Sequence, residues 1–140
     1  MSYTGLTMRV LSTTGFFLLA SAVAFAGNAR FGQTILRVQG DSKAQTVFTP
    51  DSSMIVLHAE IFEMSIGTKL TATWTAIKTD VAPPNYVITS ADVEIKQVVT
   101  SDEANFSLSK PDTGWPVGDY KVDLSINGQV ATSVSFKIAN

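Results

Sequence analysis

At 140 residues, 45% hydrophobic and 16% charged, the chain has one domain's length and enough apolar material for a core. A formal charge of −2 without a basic stripe argues against nucleic acid as a partner. The absence of cysteine excludes disulfides, thiolate metal sites, a cysteine nucleophile and a lipidated N-terminal cysteine.

Residues 1–26 differ from the rest. Met1 to Arg9 carries one positive charge and no acid, and Val10 to Phe25 is apolar and small. Ala24-Phe25-Ala26 then offers small residues at the two positions a signal peptidase reads. The segment is expected to be a secretory signal peptide cleaved after Ala26, leaving residues 27–140 as the mature domain. Met8 is an alternative start that places Arg9 beside the initiator. A retained membrane anchor is the competing reading, but Ser12, Thr13 and Thr14 interrupt a run already short for a spanning helix. The mature part carries nine bases against twelve acids, a net charge of −3.

The rest of the chain alternates apolar and polar residues with period two. "TILRV" and "QTVF" are short candidate strands. "MIVLHAEIF" groups Ile55, Leu57, Ala59 and Ile61, with His58 and Glu60 opposite. "TKLTATWTAIK" groups Leu70, Ala72, Trp74 and Ala76, with Thr71, Thr73 and Thr75 as a ladder suited to a solvated face. "YVIT" and "DVEIKQVV" are weaker candidates, and "NFSLS" offers Phe106 and Leu108. "DYKVDLSI" puts Tyr120, Val122 and Leu124 inward, and "VATSVSFKI" does so for Val130, Thr132, Val134, Phe136 and Ile138. Turn residues punctuate the series at Gly40-Asp41, Pro50 to Ser53, Pro83 to Asn85 and Gly114 to Gly118. For the last hairpin, a two-residue Asn127-Gly128 turn would oppose Leu124 to Ala131 and mismatch the inward faces. A three-residue loop of Ile126, Asn127 and Gly128, with Gly128 left-handed, is therefore expected; it pairs Leu124 with Val130, Val122 with Thr132 and Tyr120 with Val134.

"KPDTGWPVGDYKVDL", residues 110–124, contains Pro116-x-Gly118-x-Tyr120-x-Val122. This resembles the entry to the sixth strand of fibronectin type III and related immunoglobulin-like domains. The stretch from Ala104 to Ile138 is similar to the C-terminal half of small immunoglobulin-like domains of bacterial exported proteins. The resemblance implies a corner at which the chain crosses between sheets and the Tyr120 hydroxyl caps backbone upstream. It implies little about function, because that fold hosts many roles. The residues themselves agree: Pro116 fixes its own φ and holds Trp115 extended, and Gly114 and Gly118 permit sharp turns on either side. Trp115 is expected to clamp the open end of the core rather than to present a ligand platform. Trp74 is expected in the core.

Little chemistry can be assembled. His58 is the single histidine. Met54, His58 and Met64 share strand parity, which raises a copper-carrier reading, although roughly 13 Å of strand separates Met54 from His58. Asp102-Glu103 reads as a solvated turn, and Asp41, Asp51, Asp80 and Asp112 as turn caps. Asn105-Phe106-Ser107 matches a glycosylation sequon at a strand border. No nucleophile elbow, phosphate loop or dinucleotide fingerprint occurs, and no serine is marked out as a partner for His58.

The expected fold is all-β: an immunoglobulin-like two-sheet antiparallel β-sandwich of about seven to eight strands behind a signal peptide. The expected function is an exported, non-catalytic binding module, secreted or periplasmic, that meets another protein or an envelope component through a strand edge or a loop cluster. It would use no cofactor or metal, and touch the membrane only through the signal segment. The alternatives are a structural subunit of a surface fibre or envelope assembly, and a small-ligand or copper carrier.

Overall fold

The computed structural model describes residues 7–11 and 28–140. Every regular element among them is a strand: β1 (Thr7–Leu11), β2 (Arg30–Val38), β3 (Val47–Phe48), β4 (Met54–Met64), β5 (Lys69–Thr79), β6 (Tyr86–Glu94), β7 (Val99–Ser109), β8 (Gly118–Ile126) and β9 (Gln129–Ile138). Strands β7, β4 and β2 form one sheet in that order, and β1 adds to its β7 edge. The other sheet runs β3-β9-β8-β5-β6. Neighbours pair antiparallel except β3 and β9, which run parallel.

The alternating residues account for this packing. Ile55, Leu57, Ala59 and Ile61 of β4, with Ala104, Phe106 and Leu108 of β7, supply the inner face of one sheet, each 0% exposed. Leu70, Ala72, Trp74, Ala76, Tyr120, Val122 and Leu124, also 0% exposed, supply the facing layer. Each large apolar side chain so buried contributes about 1.5–3 kcal/mol relative to exposure. The result is a two-sheet β-sandwich with one core. Thr71 and Thr73 are half-buried on the outer face of β5, and Thr75 is buried.

Three local expectations are corrected. "DVEIKQVV" is not one strand: β6 ends at Glu94 and β7 begins at Val99. Ile95 leaves the ladder because its N–H donates to Thr68 O (2.8 Å) and its carbonyl accepts from Gly67 N (2.8 Å). Asp102-Glu103 is not a turn but lies inside β7, where Asp102 is buried and its Oδ1 accepts the Glu103 N–H at 2.8 Å. Asn105, too, sits within β7 and not at its border. Of the expected signal segment, residues 1–6 and 12–26 lie outside the described residues; Thr7–Leu11 is a strand, with Met8 opposite Phe106 and Val10 opposite Ala104.

The last hairpin departs from the expected register. Ile126 pairs with Gln129, so Asn127 and Gly128 form a two-residue turn, with φ of 50° and 84°. Such left-handed pairs match the twist of the flanking strands. The mismatch of faces is removed one step later by a β-bulge: Ser125 pairs with Val130 but Leu124 with Thr132, leaving Ala131 as the extra residue. From there Val122 meets Val134 and Tyr120 meets Phe136, and the inward faces agree. Val130, ahead of the bulge, is 58% exposed and not part of the core.

Gly128 has no atom near the position a side chain would occupy, so only its φ opposes substitution. Gly128→Val is expected to cost about 1 kcal/mol or more, and Gly128→Asn only a few tenths, because asparagine tolerates the left-handed region. Denaturant midpoints of the two variants test this; equal midpoints count against the turn.

Candidate functional site

The loop between β7 and β8 folds onto the turn between β3 and β4. Thr49 to Ser52 forms that turn, with Ser52 N donating to Thr49 O at 3.1 Å. Trp115 docks on it twice: its backbone N–H donates to Pro50 O (2.8 Å) and its indole Nε1–H to Ser52 O (2.7 Å). Gly114, at φ 88°, passes so close that a Cβ would lie 3.1 Å from Pro50 O. Trp115 is 2% exposed, and its ring meets Tyr120 edge-on with centroids 6.2 Å apart. A side chain so covered has no free face for a ligand.

Pro116 and Gly118 set the entry to β8. The Tyr120 hydroxyl donates to Pro116 O at 2.6 Å, tying the strand back to the loop four residues upstream. Gly118, at φ 153°, lies where a Cβ would overlap the carbonyl oxygen of Lys78, so only glycine lets β8 approach β5 there. Trp115, Pro116, Gly118 and Tyr120 are thus brought together as one corner. In the turn beneath it, the Thr49 hydroxyl bonds Asp51 Oδ1 at 2.5 Å. That bond, with the local backbone bond second, holds the Asp51 carboxyl below its ordinary value.

His58 lies on the outer face of the β7-β4-β2 sheet, its side chain 23% exposed. Nδ1 is 2.9 Å from Asn105 Oδ1 and Nε2 is 3.6 Å from Glu103 Oε1. Beside it an open groove is lined by Ile35, Arg37, Gly40, Asp41 and Ser42. The parity that joined Met54, His58 and Met64 does not hold. Glu63 adopts a left-handed φ of 55°, which reverses the alternation and buries Met64 completely in the core. Met64 thus leaves the face that Met54 and His58 share. Among the described residues no group of histidine, aspartate and glutamate could hold a metal ion.

One side of the sandwich was not legible as a surface in the sequence. There β1 pairs with β7 of one sheet and also lies against edge strand β6 of the other. At one end of β6, Val81, Tyr86 and Val87 are 57%, 38% and 56% exposed. The other end of β6 is charged: Asp92 faces Lys69 at 3.3 Å, and Glu94 faces Lys96 at 2.7 Å.

No family model matches the chain, and no curated protein matches it. Among solved structures it is similar to part of a Pseudomonas fluorescens alkylpurine DNA glycosylase bound to abasic-site DNA (TM-score 0.48, 10% identity, 80% of this chain, 30% of that one). A Listeria innocua β-glucosidase has a TM-score of 0.49 at 10% identity, over 77% of this chain and 16% of its own. A Bifidobacterium adolescentis β-glucosidase has 0.48 at 13%, over 79% and 17%. The chain spans less than a third of the length of each of these proteins.

Trp115→Ala is expected to destabilise the fold by about 3 kcal/mol, through lost volume and an unpaired Ser52 carbonyl. Trp115→Phe should lose less. Denaturant midpoints decide: if both stay at the wild-type value, the corner does not close the core. Thr49→Val should raise the Asp51 midpoint toward the ordinary carboxylate range, read by NMR titration of the carboxyl carbon. Because the folded carboxyl is held low, its contribution to stability is present above the unfolded value and fades as pH falls through the folded one.

Proposed function

We propose that the chain is an exported immunoglobulin-like domain that acts as a non-catalytic binding module, secreted or periplasmic, with a protein or envelope component as its partner. Three features support the fold assignment. The tyrosine corner ties Tyr120 to Pro116 O. Strand β3 runs parallel to β9 beside an otherwise antiparallel sheet. The loop carrying Trp115 crosses from β7 in one sheet to β8 in the other. The charged start, apolar run and Ala24-x-Ala26 support export.

The observation that carries the binding reading is the exposed apolar end of edge strand β6, where Val81, Tyr86 and Val87 stand near unpaired strand backbone. Apolar side chains beside an open edge give a partner both burial and main-chain hydrogen bonds. The burial of Trp115 in the aromatic loop supports a contact elsewhere than that loop.

Export is tested by the intact mass of protein recovered from periplasm or medium. A chain beginning at Gly27 is expected; one beginning at Met1 or Met8 shows that the segment is kept. Binding is tested with Tyr86→Ala combined with Val87→Lys. Each change should shift stability by no more than about 0.5 kcal/mol, as for exposed positions. Recovery of the partner by cross-linking in envelope extracts should fall. Unchanged recovery removes the β6 end from the contact.

A further inference from the structure

The outer edge of β7 is covered by residues that the export reading removes. Strand β4 pairs with one edge of β7 along its length, from Met54 opposite Ser109 to Met64 opposite Val99. Among the described residues the other edge is paired by β1, from Thr7 opposite Ser107 to Leu11 opposite Glu103. Removal of residues 1–26 takes away this pairing with β7 from Glu103 to Ser107. Such an edge is a template for another strand.

The register states what that strand must look like. Ala104 and Phe106 point into the core and are 0% exposed, and they stand opposite Val10 and Met8. Glu103, Asn105 and Ser107 hold the outward register, and Asn105 stands opposite Arg9. Two residues from Asn105, and so on the same face, Glu103 lies directly across from Glu60. Like charges so placed destabilise a sheet, and a cation on the next strand offsets them. A slip of one residue would turn the apolar positions outward, so the pattern fixes the register.

A second copy of the chain has no such strand to spare. Where apolar-basic-apolar triplets recur among the described residues, at Ala29 to Phe31, Leu36 to Val38, Tyr120 to Val122 and Phe136 to Ile138, they lie in or directly before β2, β8 and β9, and Ala29, Phe31 and Val38 pack against the core. Leu36, Tyr120, Val122, Phe136 and Ile138 are already buried. The pairing of β2 with β4 is also interrupted by a register shift between Phe31 and Thr34.

We infer that, once residues 1–26 are removed, the outer edge of β7 accepts an antiparallel strand from another exported protein, apolar where it faces Ala104 and Phe106 and basic between them. The inference rests on the export reading above, and adds to the β6 contact a second one at the β7 edge, with the direction and the sequence pattern of its partner.

The test begins with the exported protein, whose mass is measured first; a retained leader overturns the export reading and this inference together, before any ligand is added. Processed protein is then titrated with a labelled synthetic peptide of residues 5–13. Saturable one-to-one binding is expected, with slowed amide exchange confined to residues 103–107. A peptide carrying Met8→Asp and Val10→Asp should bind at least about tenfold more weakly, a loss of about 1.4 kcal/mol. If the processed domain melts without cooperativity, return of the near-ultraviolet tryptophan signal on adding peptide serves as the readout. No saturation, equal binding by the aspartate peptide, or protection elsewhere overturns the inference. So does a dimer whose β7 amides are protected before peptide is added, since a second copy then closes the edge.

Discussion

The stacking of Tyr120 on Phe136, rings 5.2 Å apart and 11° from parallel, holds the centre of this molecule. Phe48 and Trp74 meet Phe136 edge-on at 5.8 Å and 6.1 Å, and Trp115 meets Tyr120 at 6.2 Å. One cluster therefore joins β3, β5, β8 and β9 to the loop that crosses between sheets. With no cysteine in the chain, no disulfide ties the sheets, and packing with a few hydrogen bonds must hold them together. Aromatic pairs add about 0.5–1.5 kcal/mol each beyond the area they bury. Trp115 carries the cluster to the other sheet, because its indole bonds the carbonyl of Ser52, two residues before β4 begins.

The two tryptophans treat their polar atoms differently. Trp115 satisfies its indole N–H on Ser52 O, whereas Trp74, 0% exposed, has no acceptor for its own among the described residues. An unsatisfied buried donor costs about 1–3 kcal/mol. The aromatic body of Trp74 thus offsets a penalty that Trp115 avoids. The loop position is the better engineered of the two, although it lies at the rim of the core.

Strands β4, β5 and β8 were legible because one face is apolar and the other polar at nearly every step. So was the corner, since proline, glycine and tyrosine each impose a separate geometric demand. What escaped the sequence were places where one residue changes the parity of a strand. Ala131 is an unremarkable alanine, yet as the extra residue of a bulge it reverses the face of everything before it in β9. Glu63 gives no local sign that it will adopt a left-handed φ and send Met64 into the core. Strand β1 was hidden for another reason: "TMRVL" alternates, but it abuts an apolar run that reads as part of a leader rather than as a strand. The open side of the sandwich depends on which strands end up at the edges, and no residue pattern announces that.

The parallel pairing of β3 with β9 has a mechanical consequence. Only two residues of β3 take part, Val47 beside Lys137 and Phe48 beside Ile138. Their backbone bonds, Lys137 N to Thr46 O and Ala139 N to Phe48 O, are both 2.9 Å. Tension that draws residue 46 and residue 139 apart runs along both strands in opposite senses. The two bonds then share the load in shear and cannot be opened one after the other, as the rungs of an antiparallel hairpin can when its ends are pulled. Phe48 and Ile138, both buried, must leave the core in the same event. A tethered domain of this kind resists stretching at the seam between its first and last strands of that sheet, while its hairpins bear little of the force.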